Sequence, residues 1–215
     1  MLKTQVKASS VTNLTDARYF AAWEVKWLSF NLDVHAENYI APVNMKAIKE
    51  WVDGVEVVGE FGMQTAEEIE QMANLLELEI IQVGQFADIA LVKALSKFTI
   101  FKEIIIETTT SETELLDQIQ DFAPHCQYFL LDFDKNGFSW EDLKSGAILS
   151  LELMENLCEK YPVLISINCP AAELEELLEV LNPEGISVKG GEEEQVGMKS
   201  FDELDEVFEA IEILV

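Results

Sequence analysis

Two hundred and fifteen residues, 49% of them hydrophobic and 26% charged, fall in the globular range and exclude collagen-like or disordered organisation. The charge is the outlier: 41 Asp and Glu against 14 Lys and Arg give a net charge of −27, and Arg18 is the single arginine. Such a surface repels phosphate backbones and anionic lipid, so neither nucleic acid nor a membrane is an expected partner.

The opening Met1-Leu2-Lys3-Thr4-Gln5 lacks the apolar core of a signal peptide, and no apolar run approaches the ~20 residues of a bilayer span. A cytoplasmic protein is expected. Cys126, Cys158 and Cys169 form an odd set without a CxxC pair, and His35 and His125 are far apart in sequence. Reduced thiols are therefore expected, with no metal and no other cofactor.

In chain order, short β-branched segments alternate with longer ones of helical period. The predicted strands are Leu2–Lys7, Trp27–Asn31, Val55–Phe61, Glu79–Val83, Thr99–Ile106, Tyr128–Asp132, Val163–Ile167 and Gly185–Val188. Between them lie helical stripes such as Leu174, Leu177, Leu178 and Leu181, and after the last strand comes Leu204, Phe208 and Ile211. Capping boxes are predicted at Thr65 with Glu68, Ser111 with Glu114, and Ser200 with Glu203. Trp23, Trp27, Trp51 and Trp140 are expected to pack in the core or between helices and sheet.

Eight such units without a Pro- or Gly-rich linker predict a single (β/α)8 TIM barrel occupying residues 1–215 as one domain. An open doubly wound sheet fits less well, because the turn after the first strand, Lys7-Ala8-Ser9-Ser10-Val11-Thr12-Asn13, contains no glycine.

A barrel places its functional side chains at the C-terminal ends of its strands. These ends supply Lys7, Ser9 and Ser10, then Glu60, Gln82, Asp132, Asn168 with Cys169, and Lys189. Asp132 can exchange protons if burial or a second carboxylate raises its pKa; it can equally serve as a satisfied hydrogen-bonding group. Lys7 is a site residue or half of an ion pair. Glu60 points into the mouth or out to solvent, since parallel strands can be buried on both faces. Cys169 is a nucleophile or a small apolar filler ahead of a helix.

Several of these segments, taken in order, resemble the phosphoribosylanthranilate isomerase family. Val6-Lys7-Ala8-Ser9-Ser10-Val11-Thr12-Asn13-Leu14-Thr15-Asp16-Ala17 is similar to its first βα unit, and Val58-Gly59-Glu60-Phe61-Gly62-Met63-Gln64-Thr65 to its third strand. Ile80-Ile81-Gln82-Val83 resembles its fourth strand, Phe129-Leu130-Leu131-Asp132 its sixth, and residues 185–199 its last strand and phosphate loop. The resemblance implies a TIM barrel performing a metal-free, cofactor-free Amadori rearrangement in tryptophan biosynthesis. It also implies a cysteine after the first strand as general base and an aspartate after the sixth as general acid.

Position by position, the aspartate is Asp132 and the cysteine is replaced by Ser9, with Ser10 where the family has glycine. A serine without a partnered base is too weak an acid to shuttle protons near neutrality. The family's Pro-Arg-Tyr segment becomes Glu37-Asn38-Tyr39, which removes an anion clamp. Its Gly-Gly-Thr-Gly loop becomes Phe133-Asp134-Lys135-Asn136-Gly137, a later Gly-Gly becomes Ile167-Asn168, and an aspartate becomes Ser187. Lys189-Gly190-Gly191 is either a surviving phosphate site or simply a turn, and Glu192, Glu193 and Glu194 directly after it oppose a phosphate.

The expected catalytic positions are thus Asp132 and Ser9, and the expected ligand contacts are Lys7, Glu60, Gln82, Lys189, Gly190 and Gly191. The favoured reading is a diverged paralogue that has lost or changed the isomerisation and binds a small molecule, phosphorylated if the Lys189 turn holds an anion. The rivals are a working isomerase, with Asp132 as acid and a water or Glu60 as base, and a non-catalytic interaction barrel. Monomer and homodimer both remain open.

Overall fold

A computed structural model describes residues 1–190, 193–195 and 198–213. Its parallel strands are β1 (Gln5–Ser9), β2 (Trp27–Asn31), β3 (Glu56–Phe61), β4 (Ile80–Val83), β5 (Thr99–Ile105), β6 (Tyr128–Asp132), β7 (Val163–Ser166) and β8 (Gly185–Lys189). They pair in sequence order, and β8 closes on β1 from Gln5↔Gly185 to Ser9↔Lys189. Closure makes this the TIM barrel that the alternating pattern predicts.

Around it stand α1 (Leu14–Ala22), α2 (Pro42–Lys49), α3 (Ala66–Leu75), α4 (Ile89–Ala94), α5 (Glu112–Phe122), α6 (Trp140–Lys144), α7 (Leu151–Lys160), α8 (Ala171–Leu181) and α9 (Asp202–Ile211). After β8 the chain adds a small two-stranded antiparallel sheet of β9 (Glu193–Gln195) and β10 (Met198–Lys199).

Strand alternation divides the apolar residues into two cores. Outward residues such as Ala8, Phe30, Phe61, Ile81, Ile104, Leu131 and Ile165 meet helix faces that include Leu174, Leu177, Phe208 and Ile211. Inward residues at the N-terminal end of the barrel form a separate layer of Trp27, Val58, Ile80, Phe101, Leu130 and Leu164. Trp27 meets Phe101 edge-on at 5.2 Å, and Phe101 stacks on Tyr128 at 4.5 Å. One inward step further along each strand, two residues on, the side chains turn polar. That step sets the floor of the mouth.

Local signals hold in most places. Thr65 and Glu68 form a reciprocal capping box on α3, whereas Ser111 accepts from the Glu114 amide on α5 without the return bond. The Ser200 box does not form: Phe201 is the N-cap of α9, and among the described residues Ser200 Oγ accepts from the Asp202 amide alone. A box not anticipated stands at Ser139 and Asp142 on α6.

The first strand starts three residues later than predicted and ends at Ser9, because its length is set by pairing with β8 rather than by apolarity; Leu2 bridges Glu212 instead. Trp27 and Trp140 are buried as expected and Trp23 stacks on Phe208 at 5.1 Å, but Trp51 is 65% exposed, with Arg18 over its ring.

Candidate functional site

The C-terminal ends of the strands surround a cavity of about 590 Å³, within the usual size range of small-molecule sites. Ser9, Ser10, Glu60, Gln82, Glu103, Asp132, Ser166, Ser187 and Lys189 line it, together with Asp33, Glu37 and Lys135 from the loops. The structure therefore brings together Ser9, Glu60, Gln82, Asp132 and Lys189 from the sequence reading. Lys7 lies beneath them, fully buried. Gly190 follows β8, and Gly191 and Glu192 are outside the described residues.

On the β1–β3 side Lys7, Ser9, Ser10, Ser29 and Glu60 are all partnered. Lys7 Nζ donates to Ser9 Oγ, Ser29 Oγ and Glu60 Oε1, each at 2.8 Å, which uses all three ammonium protons. Ser29 donates to Glu60 Oε1 at 2.5 Å, and Ser10 to Glu60 Oε2 at 2.9 Å. Glu60 thus points inward, which answers the question left open by the strand pattern. Burial alone would raise its carboxyl; the Lys7 ammonium and the bonds from Lys7, Ser29 and Ser10 outweigh burial and hold it below the ordinary range.

Ser9, which the resemblance sets at the position of the family cysteine, shares a 2.6 Å hydrogen bond with Ser187 Oγ and accepts from Lys7. Among the described residues no carboxylate or imidazole is hydrogen-bonded to it. Ser10 has φ +54°, a left-handed conformation that glycine adopts without a Cβ penalty. Ser10 stands where the resemblance sets a glycine, and its backbone is one that a glycine would also adopt.

The β4–β6 side is less well satisfied. Gln82 is 5% exposed and its Oε1 meets no donor among the described residues. Glu103, on β5, is 9% exposed and accepts from Lys135 Nζ at 3.0 Å. Burial raises its carboxyl despite Lys135, and the charges of Glu60 and Asp132 push it in the same direction. Asp132 is buried at the end of β6, where its Oδ1 accepts from the Lys135 amide at 2.9 Å.

Lys189 closes the ring. Its amine reaches Asp134 Oδ2 at 2.5 Å. Burial would lower it, but the Asp134 bond and the charges of Asp132, Asp134 and Glu103 raise it.

Two groups escaped the sequence reading, which weighed only strand ends. Glu103 and Lys102 sit inside β5, two adjacent charges in the otherwise apolar run Thr99–Ile105. In a strand buried on both faces such residues need partners on opposite sides. Lys102 faces outward, fully buried, and donates to the carbonyls of Gly84 and Gln85 at 2.7 and 2.8 Å in the loop after β4. Burial lowers its amine to about 8.

The cysteines offer no activated nucleophile. Burial pushes Cys126 and Cys169 up to about 11 and Cys158 to about 12. Among the described residues no cluster of three or more His, Cys, Asp or Glu could hold a metal ion, and no helix is long and apolar enough to cross a membrane.

With this geometry in hand, the family described as N-(5'-phosphoribosyl)anthranilate (PRA) isomerase matches residues 6–210. A relative from Maridesulfovibrio salexigens named N-(5'-phosphoribosyl)anthranilate isomerase is 26% identical over 206 residues, covering 96% of this chain and 97% of its own. The crystal structure of phosphoribosyl anthranilate isomerase from Thermus thermophilus superposes with a TM-score of 0.76 at 23% identity, over 96% of this chain and 98% of its own. Another phosphoribosyl anthranilate isomerase, in complex with reduced 1-(o-carboxyphenylamino)-1-deoxyribulose 5-phosphate, superposes with 0.75 at 20% identity over 97% and 98%. The two structural likenesses carry the fold.

Proposed function

The chain belongs to the N-(5'-phosphoribosyl)anthranilate isomerase family, and we propose that it is a diverged member, one barrel domain over residues 1–215, that binds a small molecule in its mouth and has lost or altered the Amadori isomerisation. The observation that carries this reading is the state of Ser9. Its hydroxyl is held between the Lys7 ammonium and the Ser187 hydroxyl, so nothing bonded to it removes its proton. Lys7 cannot serve as that base while its three protons are engaged and Glu60 holds its charge.

Loss of the anion clamp supports the same reading. The family arginine position falls at Asn38, the single arginine lies on α1 against Trp51, and Lys135 and Lys189 already carry carboxylates. A substrate bearing both a phosphate and a carboxylate meets no unpaired cation among the described mouth residues.

A second reading rests on a different observation. Asp132 is buried at the end of β6, and Glu103 lies close enough for their charges to interact. An active isomerase would use Asp132 as acid and a mouth carboxylate as base.

One experiment separates the two. Freshly generated phosphoribosylanthranilate is offered to the wild type, to Asp132→Asn and to Ser9→Cys, and loss of substrate fluorescence is followed. The diverged reading expects no turnover above Asp132→Asn in the wild type, and none in Ser9→Cys, which restores a thiol but no clamp. Wild-type turnover abolished by Asp132→Asn would replace that reading with the active isomerase.

A further inference from the structure

We propose that the mouth takes a cationic ligand, an amine whose ammonium donates to Gln82 Oε1 and is neutralised by Glu103 and Asp132. This deepens the reading above and rests on it. The starting point is Gln82. Its side chain lines the cavity, and its carboxamide oxygen is buried with no donor among the described residues. An unmet buried acceptor is costly, whereas a donor group on a bound molecule removes that cost and places itself between β3 and β5.

The charges around that acceptor select the kind of donor. Glu60 is spent on Lys7, Ser29 and Ser10. Glu103 has one half-exposed lysine for a partner, and burial together with the charges of Glu60 and Asp132 disfavours its ionised form. Asp33, Glu37 and Asp132 also line the cavity, and none has a cation within ion-pair distance among the described residues. The cavity thus carries uncompensated negative charge in a partly desolvated setting, where an ammonium gains most and a phosphate or carboxylate is repelled. Lys189, the residue expected to receive a phosphate, instead neutralises Asp134.

The test uses three probes of one shape: cyclohexylamine, cyclohexanol and cyclohexanecarboxylate, with inorganic phosphate as a fourth. Each is titrated into the full-length protein at constant ionic strength and followed by backbone amide NMR shifts. Cyclohexylamine is expected to bind saturably, at least about tenfold more tightly than cyclohexanol, the factor expected for one charge-assisted hydrogen bond. The carboxylate and phosphate are expected to produce no saturable shift.

Gln82→Leu and the near-isosteric Glu103→Gln, both checked for a native-like spectrum, are each expected to reduce that preference about tenfold. Saturable binding of the carboxylate or phosphate overturns the inference. So does an amine preference that survives both substitutions, which would trace it to the acidic surface at large. The turnover assay fails separately: turnover of phosphoribosylanthranilate with the amine preference intact sinks only the diverged reading, and anion binding without turnover sinks only this inference.

Discussion

The two sides of the barrel mouth are built from the same kinds of residue and reach opposite conditions. On the β1–β3 side, Lys7, Ser9, Ser10, Ser29 and Glu60 form a closed network in which the ammonium and both carboxylate oxygens are partnered. On the β4–β6 side, Gln82 keeps an acceptor without a donor, and Glu103 is buried beside other negative charge. The difference teaches that polarity at a strand end does not by itself mark function. A saturated network holds the barrel together, while the unsatisfied groups define where a ligand can contribute.

Breaking the closed side gives the largest expected effect. Glu60→Leu strands the Lys7 ammonium in a fully buried position and is expected to cost about 3–5 kcal/mol in urea unfolding, while Lys7→Met with Glu60→Leu recovers most of that loss. Equal losses in the single and double variants would show that packing, not charge, dominates there.

The outer face of β5 is tested by pH. Lys102 has its amine lowered by burial to about 8, so between that pH and the ordinary lysine value of 10.5 the unfolded chain binds more protons than the folded one. Stability therefore gains a contribution as pH rises through this window, on the order of 1–3 kcal/mol. Lys102→Met should flatten that rise relative to wild type; parallel curves of urea midpoint against pH would refute the assignment.

A smaller effect belongs to Glu103. Its carboxyl is raised in the folded state, so its stabilising contribution is full below the ordinary glutamate value and is lost as pH rises through the raised one. Glu103→Gln is expected to be more stable than wild type to urea at neutral pH and to lose that advantage as pH falls into the ordinary glutamate range. The smallest change is Ser10→Gly, which relieves a left-handed serine but removes a hydrogen bond to Glu60. The two terms offset each other, leaving a net change within about 0.5 kcal/mol in the same unfolding assay.

The fold was legible because each strand is a short apolar run and each helix carries its own stripe, so alternation alone specifies eight units. Boundaries were less so. Ser9 reads as a turn residue, yet it pairs with Lys189 at the end of β1, and Ser200 has capping chemistry without the cap.

At the site, Ser9, Glu60, Gln82 and Asp132 were visible as polar strand ends. Their division into satisfied and unsatisfied groups was not, because it depends on which side chains face one another across the barrel. Glu103 was hidden by its place inside a strand, although two charges side by side in a run as apolar as β5 are a signal that partners exist on both faces.

The left-handed turn at Ser10 has a consequence for how such a mouth can change over evolutionary time. Because serine here holds a left-handed conformation that glycine adopts without a Cβ penalty, chemistry at that point can be rewritten by exchanging one side chain, with no loop to rebuild. Reversal is equally short. A barrel of this kind can therefore drift between ligand preferences by single steps at the rim while its skeleton stays constant, and shared architecture becomes a poor guide to what each descendant holds.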